Sequence, residues 1–255
     1  MKDQVAIVTG GSAGMGKAMA QKFAQEGMYV TITGRNLERL EAAKAEIETF
    51  AGQVHIVQMD VREPEHVQRM VDETKAKFGR IDHLVNNAAG NFLVAAEDLS
   101  LNGWNSVINI VLNGTFYCSQ AVMKDWIADG KKGGNILNIV ATYAWTSGHG
   151  VVHSAAAKAG VLSMTRSLAI EWGTKYGVRV NAIAPGPIEN TGGAEKLIQS
   201  EYAYKATINS IPFKRFGTPD EIAGLAYFLL SPQAAYINGD CITMDGGQWL
   251  NRMPF

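Results

Sequence analysis

The sequence predicts one doubly wound α/β domain, a parallel sheet with helices on both faces. Three observations carry this expectation. Seven short apolar runs rich in β-branched residues alternate with longer amphipathic segments along the 255 residues. A glycine-rich loop separates the first run from the first amphipathic segment. Small and polar clusters fall at the carboxyl ends of the runs, where an open α/β sheet opens its ligand crevice. No internal repeat, low-complexity tract or linker breaks the alternation, so residues 1–255 read as a single domain.

Val5–Thr9 is the first strand, stopped by Gly10-Gly-Ser12-Ala-Gly14-Met15-Gly16, and a helix follows over Lys17–Gln25. The glycines allow a sharp turn and close backbone approach, and the helix start offers free N–H groups to a phosphate. A tight turn without a ligand is the plainer alternative. Tyr29–Thr33 is the second strand and ends at Gly34-Arg35. An acid at this strand end would select NAD; Arg35 stands there instead and suits the 2′-phosphate of NADP, unless it is only a solvated charge. Leu37–Phe50 alternates charge on an apolar stripe and reads as a surface helix. Val54–Met59 is the third strand, followed by Asp60-Val61-Arg62. Asp60 either meets the adenine amino group or caps a turn.

Pro64–Phe78 is a helix opened by its proline and closed by Gly79. Ile81–Val85, the fourth strand, breaks at Asn86-Asn87-Ala-Ala-Gly90-Asn91-Phe92, whose small residues and three amides suit a ligand crevice or an asparagine-rich turn. Trp104–Asp129 is a long helical region with a kink expected at Asn113-Gly114. Ile136–Val140 is the fifth strand, and Ser154–Lys175 a long helix whose small residues (Ala155, Ala156, Ala157, Ala159, Gly160) fit either an oligomer interface or tight packing in the same chain. Val178–Ala184 ends in Pro185-Gly186-Pro187-Ile188. About residues 189–214 the chain is polar and poorly periodic, placed as a substrate lid would be or as an ordinary insertion. Thr218 to Glu221 has the form of a capping box for a helix ending at Leu230, and Cys241–Met244 is the last strand.

Composition narrows the classes. The chain is 47% hydrophobic and 18% charged, with net charge −1, so a large core is available and no global field favours nucleic acid or anionic lipid. The two cysteines lie far apart and neither has metal-type neighbours, which fits free thiols in a reducing compartment and no bound metal. The start is not a signal peptide, no run reaches membrane-spanning length, and the last three residues are no peroxisomal address, so a cytoplasmic protein is expected.

The stretch from Gly134 to Lys158 concentrates the chemistry. It holds Tyr143 at a strand end, Ser154 and Lys158 at a helix start, and His149 and His153, which read as loop or surface residues. Tyr143 is either a reacting phenol or a packing residue.

Across nearly its whole length the chain resembles the short-chain dehydrogenase/reductase family. Thr9-Gly-x-x-x-Gly14-x-Gly16, Asn86-Asn-Ala-Ala-Gly90, Pro185-Gly-Pro187 and the closing Asn238-Gly…Asp245-Gly-Gly carry the likeness. It implies a Rossmann-type domain with seven parallel strands in the order 3-2-1-4-5-6-7, a nicotinamide cofactor and a homotetramer. The family's usual asparagine, serine, tyrosine and lysine are only partly present: Lys158 matches, but Val111, Ala141 and Ser154 hold the other three positions. A serine hydroxyl is far less acidic than a phenol with pKa about 10, which argues against alcohol chemistry.

One branch, the NADPH-dependent 2,4-dienoyl-CoA reductases, resembles the pattern closely. Asn86–Phe92, Val111-Leu-Asn-Gly-Thr115, Pro185–Ile188 and Ser154-Ala-x-Ala-Lys158-Ala-Gly160 fit it, with Tyr143 fifteen residues before the lysine. The resemblance implies Tyr143, Asn91, Ser154 and Lys158 as working residues. It implies an NADPH site of Gly10, Ser12, Gly14, Met15, Gly16, Arg35, Asp60, Val61, Asn87, Lys158 and Pro185–Ile188. It also implies an acyl-CoA substrate met by Arg62, Asn91, Phe92 and Lys196, hydride delivery to C5, and a 3-enoyl-CoA product of unsaturated fatty acid β-oxidation. Two rivals remain: reduction of another activated substrate such as a 2-enoyl-CoA, and a catalytically silent NADP-binding protein.

Overall fold

The computed structural model describes residues 1–50, 52–192 and 200–251. Seven strands, β1 (Val5–Thr9), β2 (Tyr29–Gly34), β3 (Gln53–Gln58), β4 (His83–Asn86), β5 (Asn135–Ile139), β6 (Arg179–Pro185) and β7 (Cys241–Met244), form one sheet. Every pairing is parallel and the order is β3-β2-β1-β4-β5-β6-β7, the Rossmann-type arrangement expected. Successive strands step one way from β1 to β3 and the other way from β4 to β7. The crevice therefore opens between the carboxyl ends of β1 and β4.

Both faces of the sheet are covered, which is why β1 reads as an uninterrupted apolar run: Val5, Ala6, Ile7 and Val8 are all fully buried. Helices α1 (Gly14–Gln25), α2 (Leu37–Glu48) and, near the chain's end, Pro219–Leu230 enclose one core with Met19, Phe23, Leu40 and Ile222. Helix α3 (Pro64–Phe78) and the helices after β4 and β5 enclose the other, around Met70, Trp126 and Trp172.

The helical boundaries differ from expectation in informative ways. α1 begins at Gly14, so Gly14, Met15 and Gly16 form its first turn rather than the loop before it. The region expected over Trp104–Asp129 is α4 (Leu101–Ile108), a π-helical turn (Asn109–Asn113) and α5 (Gly114–Ala128). Directly before Asn113-Gly114, the site of the expected kink, the ladder thus takes one wide π-helical turn. Gly114 is needed there because a Cβ would stand 2.7 Å from the Val61 side chain. Tyr143 sits not on a strand end but in a one-turn helix, α6 (Tyr143–Thr146). The long helix α7 spans Val152–Tyr176. Its Gly160 serves packing within the chain, since a Cβ there would lie 3.0 Å from Leu112 of the π turn, while Ala156 faces outward and is exposed. The polar stretch after β6 contains a helix, α8 (Glu201–Ser210), capped by the Ser200 side chain on the Ala203 N–H. Pro219–Leu230 is α9, and its capping box between Thr218 and Glu221 forms as expected.

Asp82 anchors the amino ends of β1 and β4. It is 5% exposed, and its carboxylate accepts from the Val5 N–H at 3.0 Å, Arg80 at 2.7 Å and Lys131 at 2.8 Å. Burial raises the carboxyl's pKa, but these donors outweigh it and hold the group below its usual range. Its stabilisation is complete above the unfolded pKa of about 4 and is lost as pH falls through the lower folded value. Asp82→Asn is expected to cost roughly 1.5–3 kcal/mol at pH 7 by denaturant titration. The gap to the parent chain should narrow below about pH 4; a gap constant down to pH 3 would contradict the assignment.

Candidate active site

Two strand ends are locked together at the crevice. The buried Thr9 hydroxyl donates to the Val85 carbonyl at 3.3 Å and accepts the N–H groups of Asn87 and Ala88, both at 3.0 Å. Asn87 Nδ2 returns hydrogen bonds to the carbonyls of Thr9 (3.0 Å) and Gly10 (3.2 Å). Gly10 turns through φ +64°, and a Cβ on Gly16 would stand 2.3 Å from the Gly10 carbonyl oxygen. Ala13, at the N-cap of α1, has no side chain able to cap, and no acid stands in the first turn. The free N–H groups of that turn and its positive dipole end suit a phosphate.

Asn86 does not join the crevice as expected. Alternation along β4 turns its side chain into the core, where Nδ2 donates to Ser119 and to Asn138, each at 2.9 Å. Asn138 Nδ2 in turn donates to Thr165 of α7 at 2.9 Å. This chain of amides fixes α7 against β4 and β5.

Ser12, Arg35, Asp60 and Val61 line a pocket of about 210 Å³ at the β1–β2–β3 side. Arg39 lines it too and was not anticipated, because a surface-helix reading treats it as a solvated charge. The signal was Asn36: it caps α2 on the Arg39 N–H at 2.9 Å, which puts Arg39 in the first turn beside Arg35. Neither guanidinium makes a hydrogen bond or ion pair among the described residues. Arg62, by contrast, is turned onto Asp60 in a paired contact of 2.6–3.0 Å. That hydrogen bond holds the Asp60 carboxyl below its usual range. Lys196 lies outside the described residues.

The main cleft, about 590 Å³, is lined by the glycine loop, Asn87, Asn91, Tyr143, Ser154, Lys158 and Pro185–Ile188. Ser154 and Lys158 lie one turn apart on the same face of α7, 1% and 6% exposed. The Tyr143 and Ser154 hydroxyls are hydrogen-bonded at 3.1 Å. Lys158 Nζ donates to the Ile139 carbonyl at 2.5 Å, and burial pulls its pKa down to about 8. Burial pushes the Tyr143 phenol above its usual range, partly offset by Ser154 and Asn91. The Asn91 amide is oriented by the Phe92 N–H, which donates to Asn91 Oδ1 at 2.9 Å. That leaves Asn91 Nδ2 buried with no hydrogen-bond partner among the described residues, close enough to the phenol to lower its pKa. A buried amide N–H₂ without a partner is costly unless something else accepts from it.

Phe92 itself packs against His153, ring centroids 4.4 Å apart. His153 is no surface residue: α7 begins at Val152, which puts His153 in its first turn, fully buried. Desolvation lowers its pKa. Val111, where the usual asparagine would stand, is 1% exposed in an apolar cluster, and Ala141 has no hydroxyl.

A family model described as "Enoyl-(Acyl carrier protein) reductase" matches residues 10–248. The chain belongs to the short-chain dehydrogenase/reductase family. Within that family, a short chain dehydrogenase from Bacillus anthracis has a crystal structure that superposes with a TM-score of 0.94, at 66% identity over 99% of each chain. A Bacillus subtilis protein named "Probable 2,4-dienoyl-CoA reductase [(2E)-enoyl-CoA-producing]" is 64% identical over 255 residues, 100% of both chains. The "Peroxisomal 2,4-dienoyl-CoA reductase [(3E)-enoyl-CoA-producing]" of Danio rerio is 41% identical, covering 98% of this chain and 83% of that one. As a short-chain dehydrogenase/reductase the protein is an oxidoreductase with a nicotinamide cofactor. Among the described residues no helix is long and apolar enough to cross a membrane.

Proposed function

We propose that this chain is an NADPH-dependent 2,4-dienoyl-CoA reductase of unsaturated fatty acid β-oxidation. The observation that carries the reading is Asn91 Nδ2, buried without a hydrogen-bond partner among the described residues and close to the Tyr143 phenol. The two named dienoyl-CoA reductases support it.

The cleft fits a dinucleotide through the uncapped first turn of α1, with the glycine loop, Ser12 and Met15 as phosphate neighbours. Arg35, with Arg39 beside it, would take the 2′-phosphate; Asp60 and Val61 would take the adenine; Asn87, Lys158 and Pro185–Ile188 would hold the nicotinamide ribose and ring. A reduced nicotinamide held there would supply the hydride that C5 of the dienoyl thioester accepts. Negative charge then spreads along the conjugated system to the thioester oxygen. Tyr143 Oη and Asn91 Nδ2 donate to that oxygen, as in an oxyanion hole. Ser154 holds the phenol in place, and the raised phenol pKa keeps it a protonated donor. α8 and the loop after it would cover the substrate, since Thr207 of α8 lines the cleft.

A proton from solvent completes the reduction, and the carbon that takes it sets the product: C2 gives a 3-enoyl ester and C4 a 2-enoyl ester from the same dienolate. The 64% identity to the relative named for the (2E)-enoyl product favours C4 in this chain. The proposal further includes an acyl-CoA substrate met by Arg62, Asn91 and Phe92, a homotetramer, and a cytoplasmic setting that fits the free thiols of Cys118 and Cys241.

Mixing the protein with NADPH and a 2,4-dienoyl-CoA should consume cofactor and diene together. Turnover of a simple ketone with no loss of diene would overturn the reading. Tyr143→Phe should lower kcat by about a hundredfold, the loss of one oxyanion donor, with NADPH affinity unchanged; unaltered turnover would remove Tyr143 from the chemistry. Arg35→Ala should weaken NADPH by about tenfold or more while leaving NADH nearly unaffected, read by fluorescence titration. Equal effects on both dinucleotides would mean that Arg35 does not meet the 2′-phosphate.

A further inference from the structure

The helix that carries Tyr143 cannot hold itself. α6 is four residues long, too short for a helix to be stable by its own hydrogen bonds. It stops at Ser147, whose φ of +66° puts a residue with a Cβ in the left-handed region. Tertiary contacts must therefore fix it: Ala144 packs on the apolar cluster that holds Val140 and Ala157, and Tyr143 and Trp145 each reach another element. On the inner side the Tyr143 hydroxyl meets Ser154 at 3.1 Å. On the outer side the Trp145 ring meets Trp249 edge to face, centroids 5.8 Å apart at 88°.

Trp249 lies in a turn just after β7 whose shape depends on one carboxylate. Asp245 Oδ1 accepts the Gly247 N–H at 2.9 Å and Oδ2 accepts the Trp249 N–H at 2.7 Å. Asp245 is seated on Gly186, where a Cβ would come within 2.6 Å of its own. The same turn grips α8 from its other end: Gln248 Nε2 donates to Ser210 Oγ at 2.8 Å and Asn251 Nδ2 to the Ser210 carbonyl at 3.0 Å. Gln248, and Thr207 on α8, line the cleft. One strap thus touches the helix bearing the phenol and the helix forming the opposite wall.

We propose that Trp249 is a positioning residue for Tyr143, and that the turn from Asp245 to Asn251 ties the α8 wall and the Tyr143 helix into one unit around the substrate. The kinetic part of this inference rests on the oxyanion role proposed for Tyr143; the structural part does not.

The test uses the full chain with Trp249→Ala and Trp249→Phe, read by hydrogen exchange, NADPH titration and dienoyl-CoA kinetics. The worth of an aromatic pair predicts about tenfold faster exchange at the amides of residues 145–147 in Trp249→Ala, with β1 and β4 unchanged. It predicts kcat lower by about tenfold, NADPH affinity unchanged, and recovery of most of both losses in Trp249→Phe. Unchanged exchange at 145–147, or loss of NADPH binding together with kcat, would overturn the proposal. If the parent chain fails to reduce dienoyl-CoA, the functional reading falls, and exchange at 145–147 still decides whether Trp249 holds the helix.

Discussion

The Thr9 hydroxyl is the constraint on which the site depends. Parallel pairing throughout the sheet brings all strand ends to one edge, but it leaves β1 and β4 to part where the chain changes direction. Thr9 closes that parting with three hydrogen bonds to Val85, Asn87 and Ala88. Asn87 answers by holding the first two residues of the glycine loop. The glycine-loop end of the cleft and the turn that leads to Asn91 are consequently tied together. A second set of buried amides, Asn86 to Asn138 to Thr165, then fixes α7, and with it Ser154 and Lys158, to the same strands.

What that frame supports chemically follows from protonation states. A phenol pushed up by burial remains a hydrogen-bond donor through the neutral range and is a poor proton shuttle. Lys158, pulled down to about 8, is close to the point where its charge is lost, and among the described residues it donates to the Ile139 carbonyl at 2.5 Å. A donor pair aimed at developing charge fits these properties better than an acid–base relay does. Ser154, in the place where the family usually has tyrosine, keeps a hydroxyl that orients the displaced phenol.

Local steric demands were legible in the sequence. Gly16 has no room for a Cβ, so the strand, glycine loop and helix could be read from spacing alone. The alternation of apolar runs and amphipathic segments likewise fixed the fold class, because both faces of a parallel sheet must be covered. Features set by distant partners were not legible. Asn86 looks like Asn87 in the sequence, and only strand alternation and Ser119 send it inward. A four-residue helix has no periodicity to detect, and α6 owes its place to Trp249, far along the chain. α8 is polar and contributes no fully buried residue, so its pattern resembled a loop. His153 became core because Phe92, from another strand end, covers it.

The central claim is that Tyr143 and Asn91 together receive the charge that forms on a thioester oxygen. A crystal structure of the protein with NADP and a dienoyl-CoA bound measures this directly. The account predicts Tyr143 Oη and Asn91 Nδ2 each within about 3.2 Å of the thioester carbonyl oxygen. A carbonyl oxygen pointing to solvent, or held by neither residue, would contradict it.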